Sequence, residues 1–259
     1  MISVVQLGTV DYANGLRLQE QLVALRKEEK IGDVLLLLEH SRVITLGRNA
    51  KAANVIASPE LLAQRGVVLF ECDRGGDVTF HGPGQIVGYP IFDLRGFAAA
   101  DGKRKTLGAV EFVRHLEEVL CRTCADFAIP TKRSAGLTGV WTNQETSEAK
   151  IAAIGVHISR FVTSHGFALN VNTDLNYFDL IIPCGIPSKP VTSMRHELGH
   201  PLDLNLVAES VSRNFGTVFS SQMLWVETLD ALLGRTIGVP MQSPEEFRKF
   251  HKEDDHTWV

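Results

Sequence analysis

Residues 150–171 read KIAAIGVHISRFVTSHGFALNV, and the fold class turns on them. Two runs rich in apolar and β-branched residues, 151–158 and 164–171, flank a break at Arg160, which predicts consecutive antiparallel strands joined as a hairpin. Ala152, Ala153 and Gly155 keep the first run slim enough for a ligand to approach its backbone. Outward from the hairpin, 34–38 (VLLLL) is short, apolar and bounded by Gly32 and Glu39, the mark of a buried strand. Further strands are predicted at 43–46, 67–71, 85–94 and 138–142, with Pro90 placing the 85–94 strand at an edge or interrupting it there. Helices are predicted at 11–30, 58–66, 106–128 and 206–219. In the second, Ser58 caps, Pro59 suits the first turn and Gly66 the stop. In the third, Val110, Val113, Leu120, Cys124 and Phe127 fall on one face. A helical turn is expected at 174–180, and irregular or polar connections at 96–105, 143–149 and 181–189. Neighbouring strands mixed with separate helices favour an α+β fold with mixed sheets over a strict βαβ array. With no linker, repeat or low-complexity stretch, residues 1–259 are expected to form a single domain.

Composition narrows the function. Of the 259 residues, 44% are hydrophobic, enough for a sizeable core, and the formal net charge of −4 speaks against nucleic-acid binding. The longest apolar run, 34–38, is far short of a membrane span. The first residues, MISVVQLG, lack a basic and then apolar leader. Four cysteines, Cys72, Cys121, Cys124 and Cys184, are too few for a disulfide framework. A soluble, cytoplasmic protein with free thiols is the expectation.

Three stretches carry candidate chemistry. Cys184 lies in PCG, where a turn can present its sulfur. It is either a nucleophile, which requires a nearby cation to favour the thiolate, or a small buried hydrophobe. Lys150 opens a largely apolar strand, so its ammonium either borders a desolvated pocket or sits at a solvated strand end. Residues 74–85, RGGDVTFHGPGQ, hold four glycines whose N–H groups suit a carbonyl oxygen or an oxyanion, or else simply shape a tight loop. His81 in that stretch is open to two roles, general base or hydrogen-bonded structural histidine. No Gly-Lys-Ser/Thr follows, so the stretch is not a phosphate loop. Arg42, Arg48, Lys51, Arg65 and Arg74 form either a face for an acidic partner or an ordinary solvated set.

Two motifs mislead. His196 to His200 spells HELGH, a zinc-protease pattern, but Gly199 and Pro201 should stop the helix inside it. Cys121 and Cys124 form C-x-x-C within a long amphipathic helix, with no second ligand pair. No metal is expected.

The ensemble resembles the lipoyl(octanoyl) transferase family, within the biotin/lipoate protein ligase group. The matching stretches are RGGDVTFHGPGQIVGYPIFDL (74–94), KIAAIGVHIS (150–159), HGFALNVN (165–172) and IIPCGI followed by VTSM and ELG (181–199), with VITLGR (43–48) upstream. They span about residues 30–220, leaving 221–259 as an extension with nothing familiar. The resemblance implies a biotin/lipoate protein ligase-like catalytic fold. It further implies octanoyl transfer from octanoyl-acyl carrier protein to a lysine of lipoyl domains, on 2-oxoacid dehydrogenase E2 subunits and glycine-cleavage H protein. Cys184 would carry the acyl group as a thioester, with Lys150 tuning it. Substrate contacts would come from Arg74, Gly75, Gly76, Asp77, Val78, Thr79, Phe80, His81, Ala153, Ile154, Gly155, Gly166, Phe167 and Ala168. No cofactor is implied, because a thioester donor is already activated. An ATP-dependent lipoate or biotin ligase is the alternative on the same fold, though such ligases need no cysteine.

Overall fold

The computed structural model describes residues 1–98, 106–142, 148–183, 189–233 and 256–258, the last three by backbone alone. Strand β1 (Ile2–Val10) opens the chain, and helix α1 (Tyr12–Lys27) carries it to β2 (Asp33–His40), parallel to β1. The Asp11 carboxylate caps α1 by accepting the Asn14 N–H at 2.9 Å, and Arg26 and Lys27 suit the negative end of the helix dipole. Then follow β3 (Val43–Leu46), α2 (Pro59–Gln64), β4 (Val68–Glu71), β5 (Val78–His81), β6 (Gln85–Ile91), α3 (Ala109–Asp126), β7 (Thr131–Lys132) and β8 (Val140–Thr142). After β9 (Lys150–Ser159) and β10 (Val162–Asn170) come a 3₁₀ turn (Leu175–Leu180), α4 (Met194–Leu198), α5 (Leu204–Val218), β11 (Met223–Trp225), α6 (Leu229–Leu233) and β12 (His256–Trp258). Among the described residues no helix is long and apolar enough to cross a membrane.

The larger sheet runs β11-β1-β2-β6-β10-β9-β8-β7, with β12 added beside the far end of β9. The smaller sheet runs β4-β3-β5. The fold is thus α+β, as expected, with a βαβ unit at its start and a shorter one, β3-α2-β4, in the smaller sheet. The first went unread because β1 finds its partners, β2 and β11, across long stretches of chain. The hairpin forms as predicted, with Arg160 and Phe161 both in the left-handed region (φ 49° and 68°) of its two-residue turn.

Strand β2 shows why VLLLL does not alternate. Leu35 and Leu37 enter the core beneath α3 and α5, whereas Val34, Leu36 and Leu38 enter the core beneath α1. Both faces are dry, so both need apolar residues. A third core joins Ile44, Val78 and Phe80 of the small sheet to Tyr177, Phe178 and Leu180 of the 3₁₀ turn.

Four expectations need correction. Strand β6 is interior, between β2 and β10, so the edge alternative for Pro90 fails. Its other alternative stands: β10 pairing stops at Gly88, and the missing N–H of Pro90 faces the gap. Thr163 restores the contact, its hydroxyl donating to the Pro90 carbonyl at 2.6 Å and accepting the Phe92 N–H at 2.9 Å. Val110 is 63% exposed and does not share the buried face of α3, because the helix starts only at Ala109. The glycine-rich stretch is not all loop: VTFH alternates well enough to form β5 within it. Finally, Arg74 does not belong to a solvated basic set, being 8% exposed.

The HELGH motif breaks where expected, with α4 ending at Leu198 and Gly199 in the left-handed region (φ 77°). Cys124 is buried within the core, where desolvation pushes its thiol well above the usual range.

Candidate active site

A cavity of about 190 Å³ lies on the α1 side of the larger sheet, where β6, β10 and β9 run side by side. Its wall is slim because strand alternation sends the small residues there. Ala153 and Gly155 of β9, with Gly166 and Ala168 of β10, line the hollow. Their bulky neighbours Val156 and Leu169 fill the opposite core. Ile154 and Phe167 also reach the cavity. Gly155 is required by close approach: a Cβ there would stand 2.5 Å from the Gly75 carbonyl oxygen.

The Arg74–His81 stretch forms the second wall. Arg74 spends its donors on its own stretch and on β3, with Nη2 donating to the Thr45 carbonyl at 2.7 Å and the Asp77 carbonyl at 2.7 Å, and Nη1 to the Gly75 carbonyl at 2.9 Å. Asp77 ties the stretch outward by accepting the Val78 N–H at 2.8 Å and the Asn54 amide at 2.6 Å. Arg74, Gly76, Asp77, Thr79 and His81 line the cavity. Val78 and Phe80 do not, since alternation along β5 sends them into the third core, where Phe80 stacks on Tyr177. The Gly75 N–H donates to the Val156 carbonyl at 3.1 Å and the Gly84 N–H to Glu39 at 2.6 Å. Those two glycines therefore serve packing, not oxyanion binding.

A cluster of polar aromatic residues contributes the next part of the wall. His40 donates from Nδ1 to the Val10 carbonyl at 2.7 Å, which leaves Nε2 to accept the Tyr89 hydroxyl at 2.6 Å. His81 Nδ1 lies 2.7 Å from Gln85 Oε1. Gln85 passes the chain on by donating to Asn170 at 2.8 Å, and Asn170 donates to the Thr192 carbonyl at 2.9 Å. Burial lowers His40 to about 4, and burial together with the His40 charge lowers His81 to about 3. Of the two roles open to His81, this geometry fits the structural one, because a base poised near neutral pH is absent there. His165, held in the left-handed region (φ 55°), bonds Asp73 through Nε2 at 2.7 Å. His157 bonds the other Asp73 oxygen at 2.6 Å. Tyr12, Tyr89 and His165 all line the cavity, and sequence reading did not single them out. They come from three distant elements with no local pattern. The one available signal was His165 heading a matched motif.

Lys150 lies at the start of β9, 7% exposed, on the cavity wall. It also lines a smaller adjoining hollow together with Asn170, Pro183 and Val191. Its backbone is held from the far side: its N–H donates to the Pro190 carbonyl at 2.8 Å, and its carbonyl accepts the Thr192 N–H at 2.9 Å. Upstream, the Ile182 N–H donates to the Asn54 carbonyl at 2.7 Å. Cys184 lies outside the described residues, so its place is not described. Among the described residues, no group of three or more His, Cys, Asp and Glu side chains is arranged to hold a metal ion.

The family of lipoyl protein ligase A/B catalytic domains matches residues 11–216. The octanoyltransferase of Koribacter versatilis (strain Ellin345) is 60% identical over 256 residues, covering 99% of both chains. That of Acidobacterium capsulatum is 57% identical, covering 90% of this chain and 96% of its own. Among solved structures, a bipartite lipoate protein ligase from Thermoplasma acidophilum superposes with a TM-score of 0.67 at 14% identity, covering 90% of each chain. A lipoate-protein ligase A bound with ATP gives 0.66 at 13% identity, covering 90% of this chain and 93% of that one. At such identities the ligases share the fold alone, whereas the octanoyltransferases share most of the sequence. The chain belongs to the octanoyltransferase family, acyltransferases built on the lipoyl protein ligase A/B catalytic domain.

Proposed function

We propose that the protein takes an octanoyl group from octanoyl-acyl carrier protein and delivers it to a lysine of lipoyl domains, with Cys184 as the intermediate carrier. The acceptors are lipoyl domains of 2-oxoacid dehydrogenase E2 subunits and the glycine-cleavage H protein. The observation that carries this reading is the position of Lys150. Its ammonium belongs to an apolar-walled cavity, while Pro183, the residue before Cys184, lines the hollow beside it.

In the first half-reaction the Cys184 thiolate attacks the thioester carbonyl. A new carbon–sulfur bond forms, the bond to the pantetheine sulfur breaks, and that sulfur leaves as a thiol with a proton from Lys150. In the second, the acceptor lysine amine attacks the acyl-enzyme. The amide forms, the Cys184 sulfur departs, and Lys150 takes the proton lost by the amine. The ammonium beside the sulfur favours the thiolate for the first attack. The acyl chain lies in the cavity against Ala153, Ile154, Gly155, Gly166, Phe167 and Ala168, across from Arg74, Gly76, Asp77, Thr79 and His81. Gly75, Val78 and Phe80 support that wall from behind. At about 0.8 kcal/mol per buried methylene, the chain's seven tail carbons give at most about 5–6 kcal/mol, so length selection depends on where the cavity ends.

The 259 residues act as one catalytic domain, with 221–259 extending the core. Pairing of β11 with β1 and of β12 with β9 supports that division. A thiol nucleophile fits the reducing cytoplasm. Incubation with octanoyl-carrier protein followed by mass spectrometry tests the route. An octanoyl adduct on Cys184, absent after Cys184→Ala, is expected. An adduct that survives this substitution would end the reading.

A further inference from the structure

We propose that Trp141 is a positioning residue for Lys150, holding its ammonium at the junction of the two hollows. The inference rests on the reading of Lys150 given above and extends it to the strand beside β9. Trp141 lies directly opposite Lys150 in the β8–β9 register, so the two side chains leave the same face of the sheet. The Lys150 Nζ lies 4.8 Å from the centroid of the indole ring. The ring is 1% exposed and the lysine 7%, so water screens little of the attraction between the ammonium and the π face.

The neighbouring residues shape a slot for the lysine stem. Gly139, two residues before Trp141, sits at φ +122°, and a Cβ there would come within 2.6 Å of the Ala152 carbonyl oxygen and 3.4 Å of Lys150 Cε. The buried Glu117 fixes this glycine by accepting its N–H at 3.1 Å. A second cation, Lys189, also lies 4.7 Å from the Trp141 centroid. Its charge is answered by an ion pair with Glu148, which also binds Lys132 at 2.8 Å. Lys189 thus brings its own counter-ion to the ring. Among the described residues the indole Nε1 has no hydrogen-bond partner, so what the side chain contributes here is its face and its volume. A lysine has four flexible carbons, and a group that must give and take a proton at one place needs that freedom removed.

Three variants measured side by side for octanoyl transfer, with thermal unfolding as the check on folding, test this. Trp141→Leu should lower kcat about 30-fold, the rate equivalent of about 2 kcal/mol at 1.36 kcal/mol per decade, with KM for the octanoyl carrier within about twofold. Trp141→Phe, which keeps a weaker π face, should lower kcat by about 5-fold, an intermediate loss that decides the matter if the leucine variant does not fold. Lys150→Ala should be inactive. Wild-type kcat in the folded Trp141 variants beside an inactive Lys150→Ala would overturn this inference alone, as would a rise in KM with kcat unchanged. A fully active Lys150→Ala would overturn the reading of Lys150 and this inference with it.

Discussion

The same three strands present two opposite faces. Toward α3 and α5, β6, β10 and β9 send Ile86, Phe167, Leu169, Ala152, Val156 and Ile158 into the core, with Phe167 also reaching the hollow. Toward α1 they send Val87, Tyr89, Gly166, Ala168, Ala153 and Gly155, and a hollow remains. Both faces obey the same alternation. One is filled by side-chain volume, while the other is kept open by its absence and bounded by hydrogen-bonded aromatics. A protein interior packs densely by default, so an empty space has to be built. Here glycine and alanine build it, and His40, His81, Tyr89 and His165, each already bonded, keep its polar boundary from collapsing or admitting a stray charge.

The strongest way to break this contrast is to add one carbon. A Cβ on Gly166 would overlap the Gly88 carbonyl and stand 2.6 Å from Pro90 Cδ. Because the obstacle is backbone, Gly166→Ala should cost about 4 kcal/mol or more in urea unfolding. A loss below about 1 kcal/mol would mean the slim face is not set by close approach.

The histidines supply a gentler test. His40 is lowered by burial from 6.5 to about 4, so the folded state resists a proton that the unfolded chain accepts. Below pH 6.5 the unfolded chain binds more protons, so stability is complete above that pH and is lost as pH falls toward 4. The loss from His40 should be about 3 kcal/mol, with His81, at about 3, adding to it in the same direction. Unfolding midpoints measured from pH 7 to pH 4 check it, and a flat profile would show that these rings are charged or solvated in the folded protein.

Smallest of the three, Tyr89→Phe removes the hydroxyl bonded to His40 and leaves a buried ring nitrogen unpaired. It should cost about 1–2 kcal/mol. Cavity volume and strand register should be unchanged, and a crystal structure of the variant would sharpen the contrast by showing which of the two keeps the space open.

Much of this was legible in the residue order, and what was not has a common cause. The hairpin, the buried strand at VLLLL and the capped helix α2 are local: their apolar period or their turn residues lie within a few positions of one another. Strand β1 was missed because β2 and β11 complete it from elsewhere in the chain. Val78 and Phe80 were grouped with their neighbours as substrate contacts, although a strand must turn alternate residues away from one another. Tyr12, Tyr89 and His165 carry no spacing that marks them. They meet only after α1 lies across β6 and β10, with Gly15 leaving room for His40 beneath the helix.

Lys150 closes the matter from another direction. Its main chain is bonded on both sides of its residue to the 190–192 segment, far downstream. An amine whose backbone is anchored this way takes its address from a distant neighbour as well as from the β8 strand paired beside it. One extra residue between 190 and 192 would cost at least one of those two bonds and loosen the start of β9.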